Sequence, residues 1–155
     1  MLSDNTSVSS YSYKECNDTN KVDEVAQEEA HEEKLKEAID GLSQKSLKGR
    51  ISCFEGIQKM FVLKYIPDFI EDRKMTITDS IERSLKRGKG EEQSLAARLS
   101  TLLCIQLGDS DSAEMICTNL RPCLSLIAND NTASANSRLE VKLLFQSFIS
   151  KFFII

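Results

Sequence analysis

Several residue types are rare or missing in this chain of 155 residues. Tryptophan is absent, histidine occurs once as His31, proline twice and glycine six times. So few glycines and prolines disfavour a sandwich of short strands joined by tight turns. Aromatic residues make up 6% of the chain, which leaves few platforms on which bases or sugars could stack. The five cysteines form no C-x-x-C pair, so we expect no metal site and reduced thiols that mostly fill the core.

Charge is distributed unevenly along the chain. Residues 1–37 contain ten acidic and four basic residues, and the whole chain has a net charge of −4. A globally basic nucleic-acid binder is therefore disfavoured. Residues 1–22 are polar and without apolar periodicity, so we expect a disordered acidic tail there. The tail lacks the apolar core of a secretory signal, and no uncharged apolar run is long enough for us to expect a membrane span.

From residue 23 onward, apolar residues recur at helical spacing. Leu35, Ala38, Ile39 and Leu42 follow the i, i+3, i+4, i+7 pattern of one buried helix face. We expect a second helix with Leu47, Ile51, Phe54, Met60, Phe61 and Tyr65 on its buried face, ended by Pro67. A short helix or turn is expected over 68–73, followed by a helix that begins at Thr76 with Asp79 as capping partner and ends at Gly88 and Gly90. Further helices are expected over 91–107, 111–120, 122–128 and 134–153. Pro122 is expected either in the first turn of its helix or at a kink. Residues 91–107 are apolar on nearly every face, which predicts the most buried helix.

Three segments at predicted helix starts resemble one another. SLKGRISCFEGIQ at 46–58 matches SLAARLSTLLCIQ at 94–106 at six of thirteen positions. SANSRLEVKLLFQ at 134–146 shares five positions with the second copy. Repeats of about 40–47 residues are typical of HEAT and armadillo solenoids. We therefore expect an all-α, armadillo/HEAT-like superhelix of about two and a half repeats over residues 23–138.

The segment RKMTITDSIERSLKRGKGEEQSLAARLSTLLCIQLG at 73–108 is more specific than a generic repeat. It resembles the interferon-related developmental regulator family, and residues 33–72 resemble the first helices of that family. The resemblance extends over residues 33–137, about two-thirds of the chain. Residues 139–155 no longer resemble the family, and we interpret them as a divergent apolar C-terminal helix. Family members are longer than this chain.

The resemblance implies an armadillo-like domain and a non-enzymatic regulator of gene expression. It implies a transcriptional co-regulator whose protein partners are co-repressor and deacetylase complexes. The alternative that it implies is a ribosome- or RNA-associated translational regulator. The corresponding location is the nucleus, the cytoplasm or both. No small-molecule substrate or cofactor is expected.

Catalytic motifs have little support. Gly88-Lys89-Gly90 lacks the spacing and hydroxyl residue of a phosphate-binding P-loop, and no G-x-S-x-G motif is present. His31 lies in an acidic stretch, far in sequence from the cysteines of the body. We therefore expect no catalytic residues, although a pocket holding a perturbed titratable group would reopen an enzymatic interpretation.

A basic cluster is the strongest candidate for a binding surface. Its members are Arg73, Lys74, Arg83, Lys86, Arg87 and Lys89. One interpretation is structural, because cations stabilise the C-terminus of a helix. The other is a patch that binds an acidic protein surface or RNA phosphates. Without interleaved aromatic residues, RNA contact would be limited to the backbone.

Three further features have two interpretations each. Equivalent repeat positions are occupied by Arg50, Arg98 and Arg138. We expect each arginine to pair with an upstream acid or with a helix-end carbonyl, rather than to bind a ligand. Asp40 and Asp130 are the candidate acids. Cys104 and Cys117 could meet across a helical hairpin, although core packing is the expected role. Residues 139–155 either cap the helical stack or leave an uncovered apolar end.

Overall fold

The computed structural model describes the backbone of residues 18–152 and the side chains of residues 23–146. Within that range the protein is all-helical. Its helices are α1 (Asp18–Gly41), α2 (Leu47–Leu63), α3 (Pro67–Glu71), α4 (Lys74–Arg87), α5 (Glu91–Leu107), α6 (Asp111–Asn129) and α7 (Ala135–Phe152). None of these described helices is both long and apolar enough to cross a bilayer.

The chain divides into two units, Met1–Glu33 and Lys34–Ile155. In the first unit, the described residues form the outer part of α1, where the side chains from residue 23 are exposed except for half-buried His31. Because α1 begins at Asp18, the last residues of the predicted tail are helical. The earlier part of that tail, and with it Cys16, lies outside the described residues.

The second unit contains one apolar core built around α5. This helix packs against α2, α3, α4, α6 and α7. Leu99 and Leu103 at its centre have no solvent exposure. Among the described helices α5 has the largest set of buried residues, as its sequence predicted. Five helices of this unit therefore pack against one central helix.

Two rows of helices can be traced in this unit. In the first row α2 packs on α5 and α5 packs on α7, and in the second α4 packs on α6. Both α4 and α6 also pack on α5, which joins the rows. The three related sequence segments lie on α2, α5 and α7, so helices that begin alike lie side by side.

The predicted helix faces are confirmed in α1 and only partly in α2. Leu35, Ile39 and Leu42 are at most 3% exposed. In α2 the expected Phe54 and Phe61 are buried, but Leu47 and Tyr65 are 51% and 65% exposed. The helix begins at Leu47 and ends at Leu63, so both side chains lie at or beyond its ends. Pro67 does not end α2 but occupies the first turn of α3.

Two predicted helix boundaries are wrong. Thr76 does not begin a helix, because α4 begins two residues earlier at Lys74. A separate helix that begins at Pro122 is also wrong, because α6 continues through this residue to Asn129, as the alternative of a proline within a helix allows. Pro122 is exposed, while Leu120, Cys123, Leu124 and Ile127 continue a buried stripe on both sides of it. Burial of that stripe offsets the hydrogen bond that proline removes from a helix interior.

Candidate interaction surface

The six residues of the predicted basic cluster lie in two groups at opposite ends of α4. Arg73 and Lys74 lie at its N-terminus, while Lys86, Arg87 and Lys89 lie at its C-terminus and in the next loop. At a rise of about 1.5 Å per residue, these ends are about 20 Å apart. The residues therefore do not form one patch.

The N-terminal pair is held by neighbouring side chains. The Arg73 guanidinium stacks 3.9 Å from the centre of the Phe69 ring and donates to the Phe69 carbonyl. Lys74 forms an ion pair with Glu71 and donates to the Ser112 hydroxyl at 2.9 Å. These bonds hold the pKa of the Glu71 carboxyl below its usual value, mainly through the hydrogen bond from Lys74. Arg73 thus contacts α3, Lys74 contacts α3 and α6, and both cations are occupied by intramolecular contacts.

The C-terminal group presents more available charge. Lys86 pairs with Glu82 on its own helix at 2.6 Å, and that hydrogen bond raises the pKa of Lys86. Arg83, Arg87 and Lys89 are exposed, and the described residues place no acidic partner within ion-pair distance of them. Arg83 and Arg87 are four residues apart and share one face of α4. We call Arg83, Arg87 and Lys89 the free cation group.

The loop that carries part of this group is fixed by buried polar contacts. Glu92, near the start of α5, accepts from Arg50 Nε at 2.7 Å, from Arg50 Nη2 at 3.1 Å and from the Ser84 hydroxyl at 3.0 Å. Gln93 Nε2 donates to the Leu85 carbonyl, and the Ser137 hydroxyl donates to the Gly90 carbonyl. The loop between α4 and α5 is therefore bound to both helices and to the start of α7.

On α2, Arg50 is the residue that donates to Glu92. Besides Glu92, its guanidinium donates to the carbonyls of Gln44 and Lys45, which follow α1. The carbonyl partners of Arg50 thus lie in the loop beyond α1 and not at its last turn, and its acidic partner is Glu92 and not Asp40. The hydrogen bond from Arg50 is the main reason that the pKa of Glu92 lies below its usual value, in opposition to burial.

The other two repeated arginines are placed differently. Arg98 is exposed on α5 and has no acid within ion-pair distance among the described residues. Arg138 is half-buried at the start of α7, where its charge contributes to lowering the pKa of the expected partner Asp130. The largest cause of that lowered pKa is a hydrogen bond from Thr132. Equivalent sequence positions therefore have three different environments.

Two buried glutamines also join α2 to α5. Gln58 Nε2 donates to the Leu95 carbonyl at 2.8 Å. Gln106 Nε2 donates to the carbonyls of Phe61 and Lys64, and its Oε1 accepts from the Ile66 amide at 2.9 Å. The sequence carried a signal for these residues, because Gln58 and Gln106 match in the repeat. The role of Glu92 had no such signal, since an acid in the first turn of a helix is common.

The row formed by α2, α5 and α7 exposes large apolar side chains. They are Leu47, Val62 and Leu63 on α2, Ile105 on α5, and Leu139 and Leu143 on α7. Ile105 is 61% exposed in the middle helix of the row. Within residues 23–146, no three or more His, Cys, Asp or Glu side chains are grouped as metal ligands would be. The exposed side chains of this row are therefore partly apolar.

Comparison with known proteins identifies relatives. The family model described as interferon-related developmental regulator matches residues 2–142, which is more of the chain than the resemblance over 33–137. Interferon-related developmental regulator 2 of Mus musculus is 40% identical over 137 residues, covering 88% of this chain and 31% of the relative. Interferon-related developmental regulator 1 of Homo sapiens is 45% identical over 117 residues, covering 76% of this chain and 26% of the relative. The chain thus spans between a quarter and a third of the length of these relatives.

Proposed function

Because the chain belongs to the interferon-related developmental regulator family, we propose that it is a non-enzymatic scaffold that regulates transcription by binding proteins. The observation that carries this proposal is the row of α2, α5 and α7. Extended rows of packed helices are surfaces that repeat proteins use to bind partners. The name of the family is that of a regulator, which supports a role without catalysis.

We infer that the row is part of an armadillo/HEAT-like stack. The related segments at 46–58, 94–106 and 134–146 lie on α2, α5 and α7, and each of these helices packs against the next. Short-range packing between successive units is what a solenoid requires. About two and a half repeats account for the helices of the second unit.

The proposed partners of the row are proteins with apolar surfaces, and the family resemblance makes co-repressor and deacetylase complexes the first candidates. Ile105 and Leu143 are exposed on neighbouring helices, so a partner seated there would remove apolar surface from water. Such binding resists high salt, because its main contribution is not electrostatic. This function places the chain in the nucleus.

A second candidate function is translational regulation through ribosomal or other RNA. The free cation group supports it, since Arg83, Arg87 and Lys89 are exposed without acidic partners. Contacts of these cations with RNA phosphates would be sensitive to salt and indifferent to sequence. This function places the chain in the cytoplasm.

An affinity purification of the tagged full chain from cell lysate, with and without RNase and identified by mass spectrometry, tests the proposal. Deacetylase-complex subunits that remain after RNase and in high salt would support the transcriptional scaffold. Ribosomal proteins recovered in place of those subunits would favour the second function. Recovery of chaperones alone would contradict both.

Two pairs of variants test which surface binds a protein complex and which binds RNA. Ile105→Asp, on the row, should abolish capture of a protein complex. Leu126→Asp changes an apolar residue of α6 that is even more exposed, at 73% against 61%, and should preserve capture. Changing Arg83, Arg87 and Lys89 to Glu should abolish RNA retention. The same charge change at exposed Lys34, Lys36 and Arg121 is the matched control. Equal losses in both members of a pair would contradict the assignment.

A further inference from the structure

Two thiols meet where α5 and α6 pack together. Cys104 lies in the last turn of α5 and Cys117 in the second turn of α6, with their Sγ atoms 3.2 Å apart. No disulfide bond joins them. Cys104 is 6% exposed, whereas Cys117 is half-buried and accessible to a small solute. The pair therefore has one thiol that solvent reaches and a second thiol in contact with it.

We propose that Cys104 and Cys117 form a reversible disulfide when the chain meets a hydroperoxide. A disulfide bond is about 2.05 Å long, so the sulfur atoms must approach by about 1 Å. Rotation of two side chains and a small shift of α6 along α5 supply a movement of this size. The loop closed by the bond is short and already reversed in the native fold, since Gly108 ends α5 with a positive φ of 64°.

The reaction has two balanced steps. The Cys117 thiolate attacks one oxygen of hydrogen peroxide, so that an S–O bond forms, the O–O bond breaks and hydroxide leaves. Cys104 then attacks the sulfenic sulfur of Cys117, which forms the S–S bond and releases water. In sum, two thiols and one peroxide give one disulfide and two waters. A dithiol reductant reverses the change.

The third thiol nearby has a different environment. Cys123 lies on α6 and is 6% exposed, with its Sγ atom 3.9 Å from a carboxylate oxygen of Glu82. Burial raises the pKa of Cys123, which lowers its thiolate fraction at neutral pH. Cys123 is therefore expected to remain reduced, and it provides an internal control on the same helix.

Peroxide titration of the full chain tests the proposal. After treatment, alkylation under non-reducing conditions and mass spectrometry, the protein should lose two hydrogen atoms and have two of its five cysteines protected. Cleavage before Asp109 and Asp111 separates Cys104 from Cys117, so the expected product is a disulfide-linked pair of peptides. The oxidised chain should also melt several degrees higher, because the bond restricts the unfolded chain.

Three single substitutions distinguish the Cys104–Cys117 disulfide from other oxidation products of the cysteines. Cys104→Ser should stop the reaction at a Cys117 sulfenic acid, which a 1,3-diketone probe traps. Cys117→Ser should leave Cys104 a thiol, and Cys123→Ser should form the disulfide as the original chain does. Three results would overturn the proposal in the unsubstituted chain: a bond that includes Cys123, a disulfide between two chains, or overoxidised Cys117 beside an unreacted Cys104. Each of these results is measured in the unsubstituted chain, so the test does not depend on whether a variant folds.

Discussion

Arg50 and Glu92 are 42 residues apart and form a two-point ion pair between α2 and α5, with Nε–Oε1 at 2.7 Å and Nη2–Oε2 at 3.1 Å. Glu92 also accepts from Ser84, so one buried carboxylate connects three helices. Arg98 occupies the equivalent repeat position on α5, where its side chain is exposed, and it provides a comparison. Comparing the same substitution at Arg50 and at Arg98 therefore measures how much the ion pair contributes to the free energy of unfolding.

Substitution of Arg50 should destabilise the fold far more than substitution of Arg98. Arg50→Gln leaves the Glu92 carboxylate buried without its cation, at a cost of about 2–3 kcal/mol in free energy of unfolding. Arg98→Gln changes an exposed side chain and should stay within about 0.5 kcal/mol of the original chain. Urea denaturation monitored by circular dichroism measures both. Equal effects would mean that the ion pair adds nothing to stability.

The pair also predicts a dependence of stability on acid pH. Because Arg50 lowers the pKa of Glu92 in the folded state, the folded chain binds fewer protons there than the unfolded chain. This contribution to stability is present above the carboxyl pKa of the unfolded state and is lost as pH falls through the lower folded value. Glu92→Gln should therefore flatten the acid side of the stability profile. An unchanged slope between about pH 5 and pH 2 would contradict this account.

Gln106 and Gln146 form a second matched pair at one repeat position. Gln106→Leu removes partners from the carbonyls of Phe61 and Lys64 and from the Ile66 amide, so a loss of about 2–4 kcal/mol is expected. Gln146 is exposed, and Gln146→Leu should change stability by less than about 0.5 kcal/mol. Chemical denaturation compares the two. Similar midpoints would show that water replaces the lost contacts of Gln106.

Two glycines should respond to alanine in opposite directions. Gly90 has a φ of 58°, where a side chain is strained, so Gly90→Ala should cost about 1–3 kcal/mol. Gly56 lies inside α2 with no atom within 4 Å of an added Cβ, so Gly56→Ala should stabilise the chain by about 0.4–1 kcal/mol. Thermal denaturation gives the sign of each change. A stabilised Gly90→Ala variant would contradict the strained geometry.

Local sequence patterns predicted much of this fold. The bounds of α5 follow from Gly90, Gly108 and the apolar residues between them, and the buried face of α1 follows from Leu35 and Ile39. These features depend on spacing within one helix. The sequence left open whether Pro122 begins a new helix or lies within a continuing one, because proline disfavours a helix locally. Burial of Leu124 and Ile127, which depends on neighbouring helices, favours the continuing helix.

Long-range partners could not be predicted in the same way. The sequence placed Arg50 in a structural role, but the choice of Glu92 over Asp40 depends on how α2 packs against α5. The members of the basic cluster lie close in sequence, between Arg73 and Lys89, yet α4 separates its ends and intramolecular contacts occupy Arg73 and Lys74. The contact of Cys104 with Cys117 followed from the hairpin topology, and only the structure gives its distance.

The central position of α5 restricts how its sequence can vary during evolution. Ala96 and Ala97 have no exposed surface, and the helix packs on five others. A larger side chain at either alanine would displace a neighbouring helix, because packed interiors have little free volume. Sequence change in this part of the chain is therefore expected to accumulate on the exposed faces of the helices around α5, where new partners can be selected while the core is kept.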